Sequence, residues 1–156
     1  MLATHERTRP RQASLRCAIS TAYYALFHLL TEDATRLFVV GSEQELHYTI
    51  RRSFEHAHMK AVAKAFGSGA PGLVWADALR GTKVSTELET VAQSFVELQG
   101  SRHQADYDVG KSSTRTRTLA LVDQASAAFV AWQTVRKQRD ALVFLTALTF
   151  KGRHEA

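Results

Sequence analysis

Four residues in the second half of the chain carry side chains suited to binding phosphate and moving protons: Arg102, His103, Asp106 and Tyr107. Arg102 continues an apolar helical stripe, so we expect it to face the interior, where Asp106, four residues on, can hold its guanidinium. An Arg that balances phosphate charge and a His that transfers protons near neutral pH are what RNA cleavage by the 2′-hydroxyl needs. The alternative is a structural Arg–Asp pair that fixes this helix to the tyrosines of the first one.

A second group of basic and titratable residues lies earlier in the chain: Arg51, Arg52, His56 and His58. Arg52 and His56 are one helical turn apart and share a face, which makes this group the alternative catalytic cluster. The two histidines are separated by a single residue and point to different sides of a helix, so a metal site would need ligands from elsewhere. We therefore predict no metal and no cofactor. The competing interpretation of this group is a solvated basic face.

The charge of the chain permits an anionic partner. Its 156 residues carry a formal net charge of +5, and the sequence pI is near 9.7; RNA or a nucleotide would suit such a balance. Lys111, Arg115 and Arg117 closely follow the Arg102 group and are the predicted nucleic-acid-binding residues. Most other cations are dispersed, so the composition is equally compatible with a basic protein that has no nucleic-acid role.

Helices must position all of these side chains. Residues 15–30 are apolar around nearly the whole helical circumference, which predicts the most buried, central helix of a bundle. The other helices are predicted over about 43–66, 85–109 and 116–137, with a last short helix over 141–150. The predicted fold is therefore all-α: an up-and-down bundle of four long helices plus one or two short ones.

The chain length fits one domain, 1–156, with flexible ends at 1–9 and 151–156. The only cysteine, Cys17, falls within the apolar helix 15–30 and cannot form an internal disulfide, which favours a reducing cytoplasm. The first residues lack the apolar core of a secretion signal. No apolar run approaches the roughly 20 residues that span a bilayer, so no membrane is expected as a partner.

Two stretches resemble motifs of a known superfamily. One resembles the first-helix signature of the HEPN superfamily of small bacterial and archaeal helical domains: RCAISTAYYALFH, residues 16–28. The other resembles the Arg-x-x-Ala-Asp-Tyr motif of a HEPN subgroup: RHQADY, residues 102–107. The resemblance covers most of the chain and implies a HEPN-like helical bundle that forms a homodimer.

The resemblance implies two alternative functions of a toxin or defence type. One is a metal-independent endoribonuclease. The other is a non-catalytic module that binds a nucleotide, nucleic acid or a partner nucleotidyltransferase antitoxin. HEPN ribonucleases carry an Arg followed four to six residues later by a His on a late helix, whereas Tyr107 stands at that distance from Arg102 here. Arg51 with His56, and Arg52 with His58, have the right spacing on an earlier helix. Outside the family, a helical scaffold without a ligand remains a third hypothesis.

Overall fold

The protein is an all-α bundle. The computed structural model describes residues 11–108 and 110–151, and within them the chain forms seven helices and no strand. The helices are α1 (Gln12–Phe38), α2 (Gln44–Ser53), α3 (His56–Gly67), α4 (Leu73–Leu79), α5 (Thr86–Tyr107), α6 (Arg115–Val135) and α7 (Arg139–Thr149). Apart from Lys151, the ends predicted to be flexible, 1–9 and 151–156, lie outside the described residues.

Three helices, not four, exceed twenty residues, because the helix predicted over 43–66 is divided. α2 ends at Ser53, and the next two residues are extended before α3 begins at His56. The bend turns Phe54 into the core, where it is 8% exposed. α2 itself buries no residue, whereas α3 buries four apolar side chains and a glycine, so one straight helix would not follow the surface of the bundle. Tertiary packing here overrides the local helical periodicity.

The core forms around one face of α1. α1 packs against α2, α5, α6 and α7, while α3 packs against α5 and α7. The large side chains of this core have no solvent exposure: Tyr23, Leu26, Leu30, Phe66, Phe95, Trp132 and Phe144. Burying one large apolar side chain contributes about 1.5–3 kcal/mol, so these contacts dominate the packing of the bundle.

α1 is less enclosed than its apolar sequence predicted. Seven of the eleven residues of α7 are buried, compared with ten of the twenty-seven residues of α1. α7 is therefore the more buried of these two helices. One side of α1 is open along α6, where small side chains such as Ala25 and Ser126 line an apolar groove of about 590 Å³. Cys17, placed within the apolar stripe by the sequence, is exposed.

Polar side chains fix the helix ends to the core. Ser85 caps α5, since its hydroxyl accepts a hydrogen bond from the Leu88 N–H. The backbone N–H of Ser85 donates to the buried carboxylate of Asp140 at 2.9 Å, which joins the start of α5 to α7. Asp140 lies in the first turn of α7 rather than at its cap, which is Gln138.

No helix in the described part of the chain is long and apolar enough to cross a membrane.

Asp33 provides a test of how α1 is held to α6. Its carboxylate accepts hydrogen bonds from the indole N–H of Trp132 and from Arg136, both at 2.7 Å. Replacing Asp33 by Ala should lower the free energy of unfolding by about 1–3 kcal/mol, because the fully buried indole N–H loses its acceptor. Urea unfolding followed by circular dichroism measures the change.

Glu32→Ala is the matched control on the same helix. Glu32 pairs with Arg36 in solvent, and such exposed pairs contribute about 0.2–1 kcal/mol. Equal losses of stability in the two variants would contradict the role of Asp33.

Candidate functional site

Arg102 lies mostly buried near the C-terminal end of α5, as its place in an apolar stripe predicted. Its side chain is 16% exposed, and its Nε is 2.8 Å from Oδ2 of Asp106. The Nε–H does not point at that oxygen, so the contact is an ion pair without an aligned hydrogen bond. The other carboxylate oxygen of Asp106 accepts a hydrogen bond from the Ser20 hydroxyl at 2.8 Å, which links α5 to α1.

Two tyrosines of α1 hold the guanidinium of Arg102. Its Cζ is 5.6 Å from the ring centroid of Tyr23 and 5.1 Å from that of Tyr24. The negative face of an aromatic ring attracts a cation at these distances, and more strongly where water is excluded. Tyr23 is fully buried and Tyr24 is half-buried. The sequence anticipated this attachment of the helix to the tyrosines as the structural role of the Arg–Asp pair.

His56, from the other predicted group, joins the same tyrosines. The hydroxyl of Tyr23 is 2.5 Å from its Nδ1, and its ring stacks on Phe27 with centroids 4.6 Å apart. The Gln99 side chain donates to the backbone carbonyl of His56 at 3.0 Å, which fixes the start of α3 against α5. We call the residues assembled here the Arg102 cluster: Ser20, Tyr23, Tyr24, His56, Arg102 and Asp106.

The electrostatics of the cluster determine where its protons lie. Burial raises the pKa of Tyr23 well above its ordinary value, although the Arg102 charge acts in the opposite direction. Burial, and then the charge of Arg102, lowers the pKa of His56. Near neutral pH we therefore expect both groups to be uncharged. The buried Tyr23 hydroxyl then needs an acceptor for its proton, and Nδ1 of His56 provides it, so the ring proton sits on Nε2.

The cluster thus presents N–H donors and a positive charge. Nε2 of His56 and the terminal nitrogens Nη1 and Nη2 of Arg102 make no hydrogen bond to the described residues, whereas Nε of Arg102 is buried against Asp106. Asp106 balances part of the charge of Arg102. An arrangement of donors on an Arg and a neutral His suits an anion such as a phosphate oxygen.

The remaining residues of the two predicted groups do not join the cluster. His103 is exposed and packs its ring against Tyr107, with centroids 4.9 Å apart, and Tyr107 is 67% exposed. His58 is bonded through Nε2 to the carbonyl of Ala147 at 2.8 Å, which attaches α3 to α7.

The two arginines of α2 also lie apart from the cluster. Arg51 is exposed, with Nη2 3.9 Å from a carboxylate oxygen of Glu32. Arg52 lies over the exposed ring of Tyr48 and donates to its hydroxyl at 3.4 Å. The second group is therefore dispersed, and only His56 is brought to Arg102.

The three predicted nucleic-acid-binding residues do not lie at a single site either. Lys111 and Arg117 line a polar pocket of about 260 Å³ together with Ser112 and Ser113, while Arg115 is exposed elsewhere on α6. Both cations of the pocket already have partners. Lys111 is 3.7 Å from Asp108, and Arg117 is 2.8 Å from Glu97. The hydrogen bonds that Glu97 accepts from Gln124 and Arg117 lower its carboxyl pKa.

Sequence reasoning missed that the two groups meet at one place. Arg102 and His56 belong to different helices, and no local spacing connects them. The available signal was the polar residues Ser20 and Tyr24, one turn apart in the mainly apolar stretch 15–30 of α1. Polar positions on a buried helix require partners, but the pattern does not identify them.

The described residues contain no group of three or more His, Cys, Asp or Glu side chains placed to hold a metal ion. No protein-family model, curated protein or solved structure matches the chain.

Arg102 should tolerate replacement by Met better than replacement by Ala. Met keeps an apolar stem of similar length over the tyrosine rings, whereas Ala also leaves a cavity. We expect Arg102→Ala to cost about 1–3 kcal/mol and Arg102→Met to cost less. Thermal melts measure both losses, and two neutral variants would show that Arg102 does not hold the helices together.

Protonation of His56 should destabilise the fold. Because its pKa in the folded protein lies below the ordinary value of 6.5, the unfolded chain binds the proton more readily. His56 therefore contributes stability that is present above about pH 6.5 and is lost as the pH falls towards its folded-state pKa.

NMR titration of the His56 ring tests this directly. The pKa should lie below 6.5 in the intact protein, and Arg102→Met should raise it only partway, since burial is the larger cause. A ring that titrates at or above 6.5 would contradict the buried geometry.

Proposed function

We propose that the chain is a HEPN-like module whose Arg102 cluster binds a phosphate group of a nucleotide or of RNA without cleaving it. The observation that carries the proposal is the meeting of Arg102 and His56 on the same two tyrosine rings. The terminal Nη groups of Arg102 and Nε2 of His56 keep N–H groups without an acceptor among the described residues, and the Nη atoms are not among the buried ones. A phosphate oxygen supplies the acceptor that both lack, and its charge is balanced by the guanidinium.

The surroundings of the cluster suit the rest of such a ligand. Lys111 lies just beyond the end of α5, and the side chain of Arg16 reaches its carbonyl at 3.4 Å. Phosphates along a strand favour such a basic rim.

The protonation of the cluster argues for binding over cleavage. A general base needs an unprotonated ring nitrogen that faces the substrate. Nδ1 of His56 is occupied by Tyr23, and Nε2 carries the proton. The lowered pKa of His56 also leaves little imidazolium to act as a general acid near neutral pH.

A metal-independent endoribonuclease is the second candidate. The same meeting of Arg102 with His56 favours it, since phosphate stabilisation and proton transfer would then occur at one site. Cleavage would require Tyr23 to release Nδ1 of His56. The 2′-hydroxyl would attack the adjacent phosphate and expel the 5′-oxygen, leaving a cyclic phosphate end.

The partners follow from the family resemblance. We propose a homodimer and, as a further partner, a nucleotidyltransferase antitoxin in the cytoplasm. The exposed Tyr107 at the end of α5 supports a contact there, because aromatic side chains are enriched in protein interfaces.

Arg102→Met should abolish phosphate binding while the domain stays folded. Fluorescence polarisation with labelled single-stranded RNA and with a fluorescent nucleoside diphosphate measures the affinity. We expect at least about a tenfold loss, since the variant removes the charge and its donors. Arg36→Met is the matched control, because Arg36 is an exposed cation of α1 paired with Glu32. Equal binding by the intact protein and the Arg102→Met variant would refute the site.

Incubation of RNA with the intact protein and a chelator separates the two candidates. We expect the RNA to remain whole. Cleavage that leaves cyclic phosphate ends and disappears in His56→Ala would replace the binding module with the ribonuclease. His103→Ala is the control, since His103 lies outside the Arg102 cluster.

Light scattering at micromolar concentration should give the mass of a dimer. Tyr107→Asp should shift the protein to the monomer, because it places a charge in the proposed contact. Val130→Asp on α6, where Val130 is 70% exposed, should leave the dimer intact. A monomeric mass for the intact protein would contradict the dimer.

A further inference from the structure

An apolar groove lies at the end of α1 that is remote from the Arg102 cluster. It has a volume of about 610 Å³ and lies between the last turn of α1, α4 and α7. Leu37, Phe38 and Leu142 contribute large apolar side chains to it, and each remains 36–38% exposed. Trp75 of α4 lines the same groove and is half-buried. We call this feature the α1–α4–α7 groove.

The apolar surface extends beyond the groove. Phe150, which is 51% exposed, packs edge-on against Phe38 with ring centroids 5.0 Å apart. Isolated apolar residues on a surface need no explanation, but a group gathered around a concave site marks an interaction surface.

The charges at the groove are all positive. Lys137 and Arg139 are the only charged residues among those that line it. The guanidinium of Arg139 is held by two hydrogen bonds to the carbonyl of Ala78, at 2.8 and 2.6 Å. Neither cation has a carboxylate within 4.0 Å among the described residues, although the adjacent Arg136 is paired with Asp33. The rim therefore attracts acidic groups from outside the chain.

We propose that the α1–α4–α7 groove docks an amphipathic, acidic helical segment of a partner protein. Apolar side chains at helical spacing would enter between Phe38, Trp75 and Leu142, as in other helix-in-groove contacts. Asp or Glu residues at the edge of that segment would meet Lys137 and Arg139. The concave shape favours a helix over a bilayer, which offers a flat surface.

The proposal does not depend on the phosphate site. Phe38 lies fourteen residues after Tyr24 on the same helix, which separates the two sites by about 21 Å along its axis. Variants of the groove can therefore be examined without altering the Arg102 cluster.

Selection of phage-displayed random peptides of about 16 residues on the immobilised full-length protein tests the proposal, since such peptides can form about four helical turns. We expect enrichment of peptides with Leu or Phe at positions i, i+3, i+4 and i+7 and a net negative charge. Fluorescence polarisation with the enriched peptide should then show about tenfold weaker binding to Phe38→Ser and to Lys137→Glu. Reversing the acids of the peptide to Lys should restore its binding to Lys137→Glu.

Two matched variants serve as controls. Leu46→Ser removes a half-exposed apolar side chain on α2, and Lys64→Glu reverses an exposed charge on α3; both residues lie outside the groove. Both variants should bind the peptide like the intact protein, and circular dichroism melts confirm folding. Lys137→Glu changes only an exposed side chain, so it keeps the test decisive if Phe38→Ser fails to fold.

Several outcomes would overturn the proposal. They are the absence of enriched peptides, enriched peptides without acids, and binding that survives both groove variants. Displacement of the peptide by oleate would assign the groove to an apolar small anion. Sedimentation with phosphatidylglycerol vesicles that Lys137→Glu abolishes, without peptide binding, would assign it to a lipid surface.

Discussion

The buried hydroxyl of Tyr23 is the constraint on which the arrangement of the bundle depends. Tyr23 has no solvent exposure, so an unpartnered hydroxyl would cost about 1–3 kcal/mol. Its partner, His56, stands at the first residue of α3. α3 must therefore begin where the His56 ring reaches Tyr23 of α1, and the chain turns at Phe54 just before α3 begins. The division of the predicted helix over 43–66 therefore does two things at one place. It buries the apolar side chain of Phe54, and it gives the Tyr23 hydroxyl a hydrogen-bond partner.

The same contact places a cation inside the bundle. The ring of Tyr23 contacts both Phe95, with ring centroids 5.5 Å apart, and the guanidinium of Arg102. Arg102 is stabilised there by Asp106, whose second oxygen is bonded to Ser20. Aromatic faces and one carboxylate thus compensate a charge that burial would otherwise disfavour. Burial, and then this positive charge, lowers the pKa of His56 and keeps its ring a neutral hydrogen-bonding group.

The two surfaces suited to partners lie at different levels of α1. The polar side of the helix, with Ser20 and Tyr24, meets α5 and α3 at the Arg102 cluster. The last turn, with Leu37 and Phe38, meets α4 and α7 at the apolar groove. Asp33 holds the helix to α6 between them through Trp132 and Arg136. Through this attachment one helix carries both the proposed phosphate-binding cluster and the proposed docking groove, which differ in chemistry.

The sequence by itself determined the elements whose signals are local. The approximate extents of α5 and α6 and the inward position of Arg102 beside Asp106 follow from spacings within one helix, so the periodicity of the chain predicts them. The all-α class follows from the same patterns.

Only the tertiary structure decided which helices meet and where. It brought His56 to Arg102, left His103 and His58 elsewhere, and opened one side of α1 along α6. The physical reason is that contacts between helices depend on how whole apolar faces pack and on which buried polar groups find partners. Those choices are made by residues far apart in the chain, and no local spacing encodes them.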